Sequence, residues 1–296
     1  MSMHIGHVAL RTPEPERSAR FLQRILGLRE THATKDEIFL SCNERHHEVE
    51  FLRGETTGID HLGLEVDDES ELNSLRDRLI AEGATIITET ASEPGVASAL
   101  RFVGPMGLVF EVYAGMERET LTVDHYMTLL GRRFGHVTFS TDDLAETIRF
   151  LCEVLGFRVS DTLDTLAWLR CDSDHHGIGL NETGSNSLHH YAFELQSLGA
   201  IGHYADHLAL LGEPLVWGVG RHGPGRNLFT YVPDPCNVIV EAYSDLLRIE
   251  DEGSYAPIDW SDRGRAGLNL WGQLSPEGWR DYGCPILEPD RALADS

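Results

Sequence analysis

A chain of 296 residues is long enough for about two domains with sizeable cores, and 41% hydrophobic with 24% charged content is ordinary for a globular protein. With 48 acidic residues against 24 basic ones the formal net charge is −24, which argues against nucleic acid, whose phosphates need a basic footprint, and against anionic membrane surfaces. The charge reveals little about a small substrate, because screening acts over about 8–10 Å.

Taken in order, residues 4–53 read as strand, helix and three strands. Thr12 is a candidate N-cap with Pro13 at the first helical position; Ala19, Phe21, Leu22, Ile25 and Leu26 give an apolar stripe, and Gly27 stops the helix. Short strands are expected over 36–42 and 48–51. Residues 59–116 repeat the plan around a helix near 69–82, ended by Gly83. Around Gly115–Arg133, Met116-Glu117-Arg118-Glu119 looks like a solvated crossing to a second half. There Asp143 with Glu146 forms a capping-box pattern, Leu144, Ile148, Leu151 and Leu155 form the stripe, and Gly156 ends it. Strands follow over 166–171 and 177–180, and residues 187–246 again carry a helix, near 199–211.

The two halves are one pattern written twice. Gly6-His7-Val8 matches Gly135-His136-Val137, Cys42…His46-His47 matches Cys171…His175-His176, and Asp60-His61 matches His189-His190, all 129 residues apart. Gly104-Pro105…Glu111-Val112-Tyr113 matches Asp234-Pro235…Glu241-Ala242-Tyr243 at 130. The expected fold is therefore α+β, with four βαβββ modules paired into two cupped, incomplete-barrel domains: 1–117, 131–250, and a tail over 251–296 outside the repeat. The tail holds Trp260, Trp271 and Trp279, three of the five tryptophans. It is expected to have little regular structure and to pack on the body or a neighbouring subunit, with closure of a substrate mouth as the second reading.

The five cysteines are dispersed and lack CxxC spacing, which reads as a reduced, cytosolic chain. The N-terminus enters a strand pattern at once, without a basic or long apolar leader, and no apolar run approaches the ~20 residues of a membrane span. A cytoplasmic protein without a signal peptide is the expectation.

Chemistry concentrates where the second half repeats the first. His136, His190 and Glu241 lie on three different predicted strands, two first strands and one last strand of the paired modules. If those strands are neighbours, two imidazoles and a carboxylate meet on one side of a metal. That is the ligand set of mononuclear non-haem Fe(II) oxygenases. A lone strand histidine is usually structural. His189 competes with His190, but alternation lets only one point inward, and the repeat pairs His61 with His190.

The ordered set Gly135-His136-Val137, Cys171…His175-His176, His189-His190-Tyr191-Ala192-Phe193, Gly220-Arg221-His222-Gly223-Pro224, Asn227…Tyr231 and Asp234-Pro235…Glu241-Ala242-Tyr243 resembles the type I extradiol ring-cleaving dioxygenases of the vicinal oxygen chelate superfamily. The resemblance spans about residues 1–247. It implies Fe(II), with Mn(II) as the occasional alternative, on His136, His190 and Glu241; a catecholic substrate and O2; and usually a homo-oligomer. It also implies that His176 is the acid–base histidine, with neighbouring His175 as fallback, and that His222 and Tyr231 hydrogen-bond the bound diol and oxygen-derived intermediates. One departure is Asn237, where the family's Asp-Pro-Xaa-Gly turn has glycine; asparagine also tolerates the left-handed conformation.

In the first half His7, His61 and Glu111 occupy the ligand positions and His47 matches His176. The positions 130 residues before His222 and Tyr231, however, are Ser92 and Arg101. In related two-domain enzymes the first half is usually metal-free, and that is the expectation here. Candidate pocket residues are Trp168, Leu180, Trp217, Val219 and Phe229, with Arg221 and Arg226 as partners for an anionic substituent. Two rival readings are a glyoxalase-like isomerase or other metal enzyme of the superfamily, and a non-catalytic binder like the bleomycin-resistance proteins. The intact triad speaks against the binder, and His176, His222 and Tyr231 against the isomerase.

Overall fold

The structure, a computed structural model, describes residues 3–128 and 130–289. The tip of the predicted tail, 290–296, lies outside the described residues.

The first half runs β1 (Met3–Thr12), α1 (Pro15–Leu26), β2 (Arg29–Ala33), β3 (Glu37–Ser41), β4 (Val49–Arg53), β5 (Gly58–Val66), α2 (Glu69–Glu82), β6 (Thr85–Thr88), β7 (Val96–Val103) and β8 (Val109–Met116). A short helix, α3 (Val123–Thr128), leads to the second half. That half runs β9 (Arg133–Thr141), α4 (Leu144–Glu153), β10 (Arg158–Leu163), β11 (Leu166–Arg170), β12 (Ile178–Glu182), β13 (Ser187–Glu194), α5 (Leu198–Leu211), β14 (Trp217–Arg221), β15 (Leu228–Pro233) and β16 (Ile239–Ser244). The four βαβββ modules of the sequence reading are all present.

Caps explain most helix ends. Asp143 accepts from the Glu146 N–H at 2.9 Å, and Gly27, at φ 71°, closes α1 by donating to the Gln23 carbonyl. The start of α1 differs from expectation. Thr12 still belongs to β1, paired with Arg53, so the helix begins at the second proline, Pro15, where a missing N–H costs nothing. Asn237 does take the left-handed conformation, at φ 63°.

Each half is one sheet, in the order β2-β3-β4-β1-β5-β8-β7-β6 and β14-β15-β16-β13-β9-β12-β11-β10. The first strands of paired modules lie antiparallel at the centre, β1 on β5 and β9 on β13, and each is flanked by the last strand of its own module in parallel. Helices cover the outer face, and alternation divides each central strand. On β9, Val137 and Phe139 enter the apolar core, while His136, Thr138 and Ser140 face a cavity inside the curl.

The halves interlock: the Phe134 N–H donates to buried Glu48 at 2.8 Å, across the boundary. The tail is more regular than expected. Strand β17 (Ile258–Asp259) extends the second sheet beside β10, and β18 (Cys284–Pro285) pairs with β13. Ile286 then bridges to Ile59, so the tail ties both sheets together. Buried Asp161 anchors it by accepting from Tyr255 Oη–H, Ile258 N–H and Trp260 Nε1–H at 2.8–2.9 Å. Among the described residues no helix is long and apolar enough to cross a membrane.

Candidate metal centre and substrate cavity

Register brings the three predicted ligands together. His136 on β9 and Glu241 on β16 both stand opposite Ala192 of β13, and His190 lies two residues before Ala192 on the same strand. One row across three strands therefore puts His136 Nε2 at 3.0 Å and His190 Nε2 at 3.3 Å from Glu241 Oε2. A first-row divalent ion with bonds of about 2.1 Å needs neighbouring ligand atoms about 3 Å apart, so the donor set fits one. Close packing holds the row. The His136 ring lies 4.6 Å from that of His176 and 4.8 Å from that of Tyr243. Gly135 is needed beside it, since a Cβ there would lie 1.8 Å from the Tyr243 hydroxyl.

Hydrogen bonds aim the ligand atoms. The Trp279 carbonyl can only accept, so His189 donates to it from Nε2 at 3.0 Å. His189 Nδ1 is then a lone pair, which receives the Nδ1–H of His190 at 2.8 Å and leaves His190 Nε2 free for a metal. Asn227 Nδ2 donates to Glu241 Oε1 at 3.1 Å and leaves Oε2 facing the imidazoles. His189 thus does not compete with His190. A register shift between Leu188 and His190 relaxes the alternation, and both rings line the cavity.

The same logic orders the other histidines. Asp161 Oδ2 lies 3.1 Å from His175 Nε2 and favours the proton there. His175 Nδ1 can then accept from His176 Nδ1 at 3.1 Å, leaving His176 Nε2 as the lone pair. Burial holds the pKa of His176 well below the ordinary imidazole value, as it does for His190, so both are neutral near pH 7. His222 donates from Nδ1 to the Leu268 carbonyl and accepts the Tyr231 hydroxyl on Nε2 at 2.9 Å. Burial raises the Tyr231 pKa well above the phenol value, so it remains a donor.

His136, His176, His190, His222, Tyr231 and Glu241 all line one cavity, walled by Leu166, Trp168, Leu180, Trp217, Leu268, Trp279 and Arg280. Leu268, Trp279 and Arg280 come from the tail, which therefore forms part of the wall. Two expected wall residues are elsewhere: Phe229 stacks on His222 at 3.9 Å between ring centres, and Val219 packs against the main apolar core. Arg221 pairs with Asp245 and donates to the Arg226 carbonyl, and neither arginine lines the cavity. The cation at the wall is Arg280.

The sequence profile of the Glyoxalase/Bleomycin resistance protein/Dioxygenase superfamily matches residues 4–112 and 133–242. The chain belongs to that superfamily. It is 29% identical to the manganese-dependent 2,3-dihydroxybiphenyl 1,2-dioxygenase of Geobacillus genomosp. 3, over 93% of this chain and 96% of that one. It is 26% identical to metapyrocatechase 2 of Cupriavidus necator, over 92% and 90%. Among solved structures, the Mn(II)-bound glyoxalase from Novosphingobium aromaticivorans aligns with a TM-score of 0.84 at 25% identity, over 93% of this chain and 92% of that one. Homoprotocatechuate 2,3-dioxygenase from Arthrobacter globiformis shares the fold at a TM-score of 0.88 and 21% identity, over 98% and 93%. Named relatives include manganese-dependent and iron-dependent extradiol enzymes.

Proposed function

We propose that this chain is an extradiol dioxygenase, opening a catecholic ring beside its diol with O2 and leaving both oxygen atoms in a semialdehyde or keto-acid product. The observation that carries this reading is the convergence of His176 and the His222–Tyr231 pair on the cavity whose floor is His136, His190 and Glu241. Fe(II) or Mn(II) held by those three residues would acidify the diol and gather it with O2.

The protein's own groups supply the rest. His176 Nε2, neutral and facing the cavity, accepts a hydroxyl proton and can return it to an oxygen. The Tyr231 hydroxyl, shared with His222, is a fixed donor for negative charge developing on oxygen. Trp168, Leu180, Trp217 and Trp279 exclude water and suit a catechol with an apolar alkyl or aryl substituent. The enzyme is expected to be cytoplasmic and homo-oligomeric, without a nucleic-acid or membrane partner.

The likeness to a Mn(II)-bound glyoxalase supports a second reading, isomerisation without O2. Anaerobic loading with Fe(II) or Mn(II), then catechol, 3-methylcatechol or 2,3-dihydroxybiphenyl in air, separates the two. One O2 consumed per diol with yellow product is expected; metal-loaded protein that consumes no O2 with any of them contradicts the proposal.

A further inference from the structure

The first half repeats the ligand row. His7 on β1 and Glu111 on β8 both stand opposite Gly63 of β5, and His61 lies two residues earlier on that strand. Gly63 stands where the second half has Ala192, and a Cβ there would come within 2.2 Å of the His7 ring. A fourth group joins them. Glu93, from the loop before β7, lies 2.7 Å from His61 Nε2 and 3.3 Å from His7 Nε2. Ligand atoms of all four residues lie within 4.8 Å of one another.

These atoms face each other as a metal's ligands do. His61 donates from Nδ1 to Asp60 at 2.9 Å, which turns its Nε2 inward, 3.1 Å from Nε2 of His7. Glu111 Oε2 is buried without a hydrogen-bond partner, 3.5 Å from the same His7 nitrogen. Arg101 does not cover that oxygen: its Nε binds Glu111 Oε1 at 3.0 Å, while Nη2 pairs with Glu93 Oε1. Arg101 thus steadies Glu111 through Oε1, as Asn227 steadies Glu241, while its Nη2 lies 3.5 Å from His61 Nε2. Glu50, Glu93 and Glu111 are buried carboxylates gathered around the guanidinium of Arg101.

We propose that His7, His61, Glu93 and Glu111 form a second divalent-metal site, structural rather than catalytic. Four protein ligands leave fewer open positions than three, and all four are buried at 8% exposure or less, which denies a substrate access. The site departs from the metal-free first half that the family resemblance implies.

The test counts metal in the full chain, loaded with MnCl2 and desalted. Two equivalents per wild-type chain are expected, one in His190→Ala, and one in Glu111→Gln. The His190→Ala protein should still melt at a higher temperature with Mn(II) than after EDTA treatment, and Glu111→Gln should keep catechol turnover. A wild-type chain holding one equivalent that vanishes in His190→Ala, with no Mn(II)-dependent melting shift left, would overturn the proposal.

Discussion

The two halves share one backbone plan and one ligand row, His–Gly–Glu–Arg in the first and His–Ala–Glu–Tyr in the second. What separates them lies beside the row. Tyr231 is a neutral donor tied to His222; Arg101, at the matching position, is a cation tied to two carboxylates. The loop that carries His222 and Asn227 in one half carries Glu93 in the other, and Glu93 meets His7, His47, His61 and Arg101. The second row opens to a cavity walled by aromatic groups and the tail, whereas the first closes on itself. A duplicated strand core therefore places two histidines and a glutamate in one row twice, and the outer strands and loops decide what else meets that row.

The largest effect that sharpens this contrast is on proton transfer. His176→Phe should lower kcat by about 10²–10⁴-fold while bound metal, measured by elemental analysis, stays unchanged. The matching His47→Phe should leave kcat within about twofold, since His47 contacts Glu93 rather than a cavity. Next is the relay behind His190. His189→Ala removes the acceptor that directs His190 Nε2, so metal affinity, followed by competition with a chelator, should weaken about 10–100-fold. The smallest effect is on the tail. Asp161→Ala leaves the N–H and O–H groups of Ile258, Tyr255 and Trp260 without their acceptor and should cost about 1–3 kcal/mol in urea unfolding, accompanied by slower turnover as His175 loses its neighbour.

Much of this was legible in the sequence, for identifiable reasons. The repeat at 129–130 residues exposed the four modules and matched His190 to His61, and the family resemblance grouped His136, His190 and Glu241 as one ligand set. Glu93 escaped because loops slip. The residue 130 before His222 is Ser92, and the acid sits one position later. His189 escaped because alternation fails at a register shift. Phe229 shows that alternation gives a face but not where a ring turns, and Gly220 leaves it room against His222. Trp279 and Arg280 have no partner in the repeat, so only the folded tail reveals them at the cavity. The start of α1 moved because β1 continues through Thr12.

The most direct test of the central claim compares O2 uptake with 2,3-dihydroxybiphenyl, or the best substrate found, in metal-loaded wild type, His190→Ala and His61→Ala. Uptake should be abolished in His190→Ala and retained in folded His61→Ala. Uptake lost equally in a folded His61→Ala protein, or retained in His190→Ala, would contradict catalysis at the second-half site.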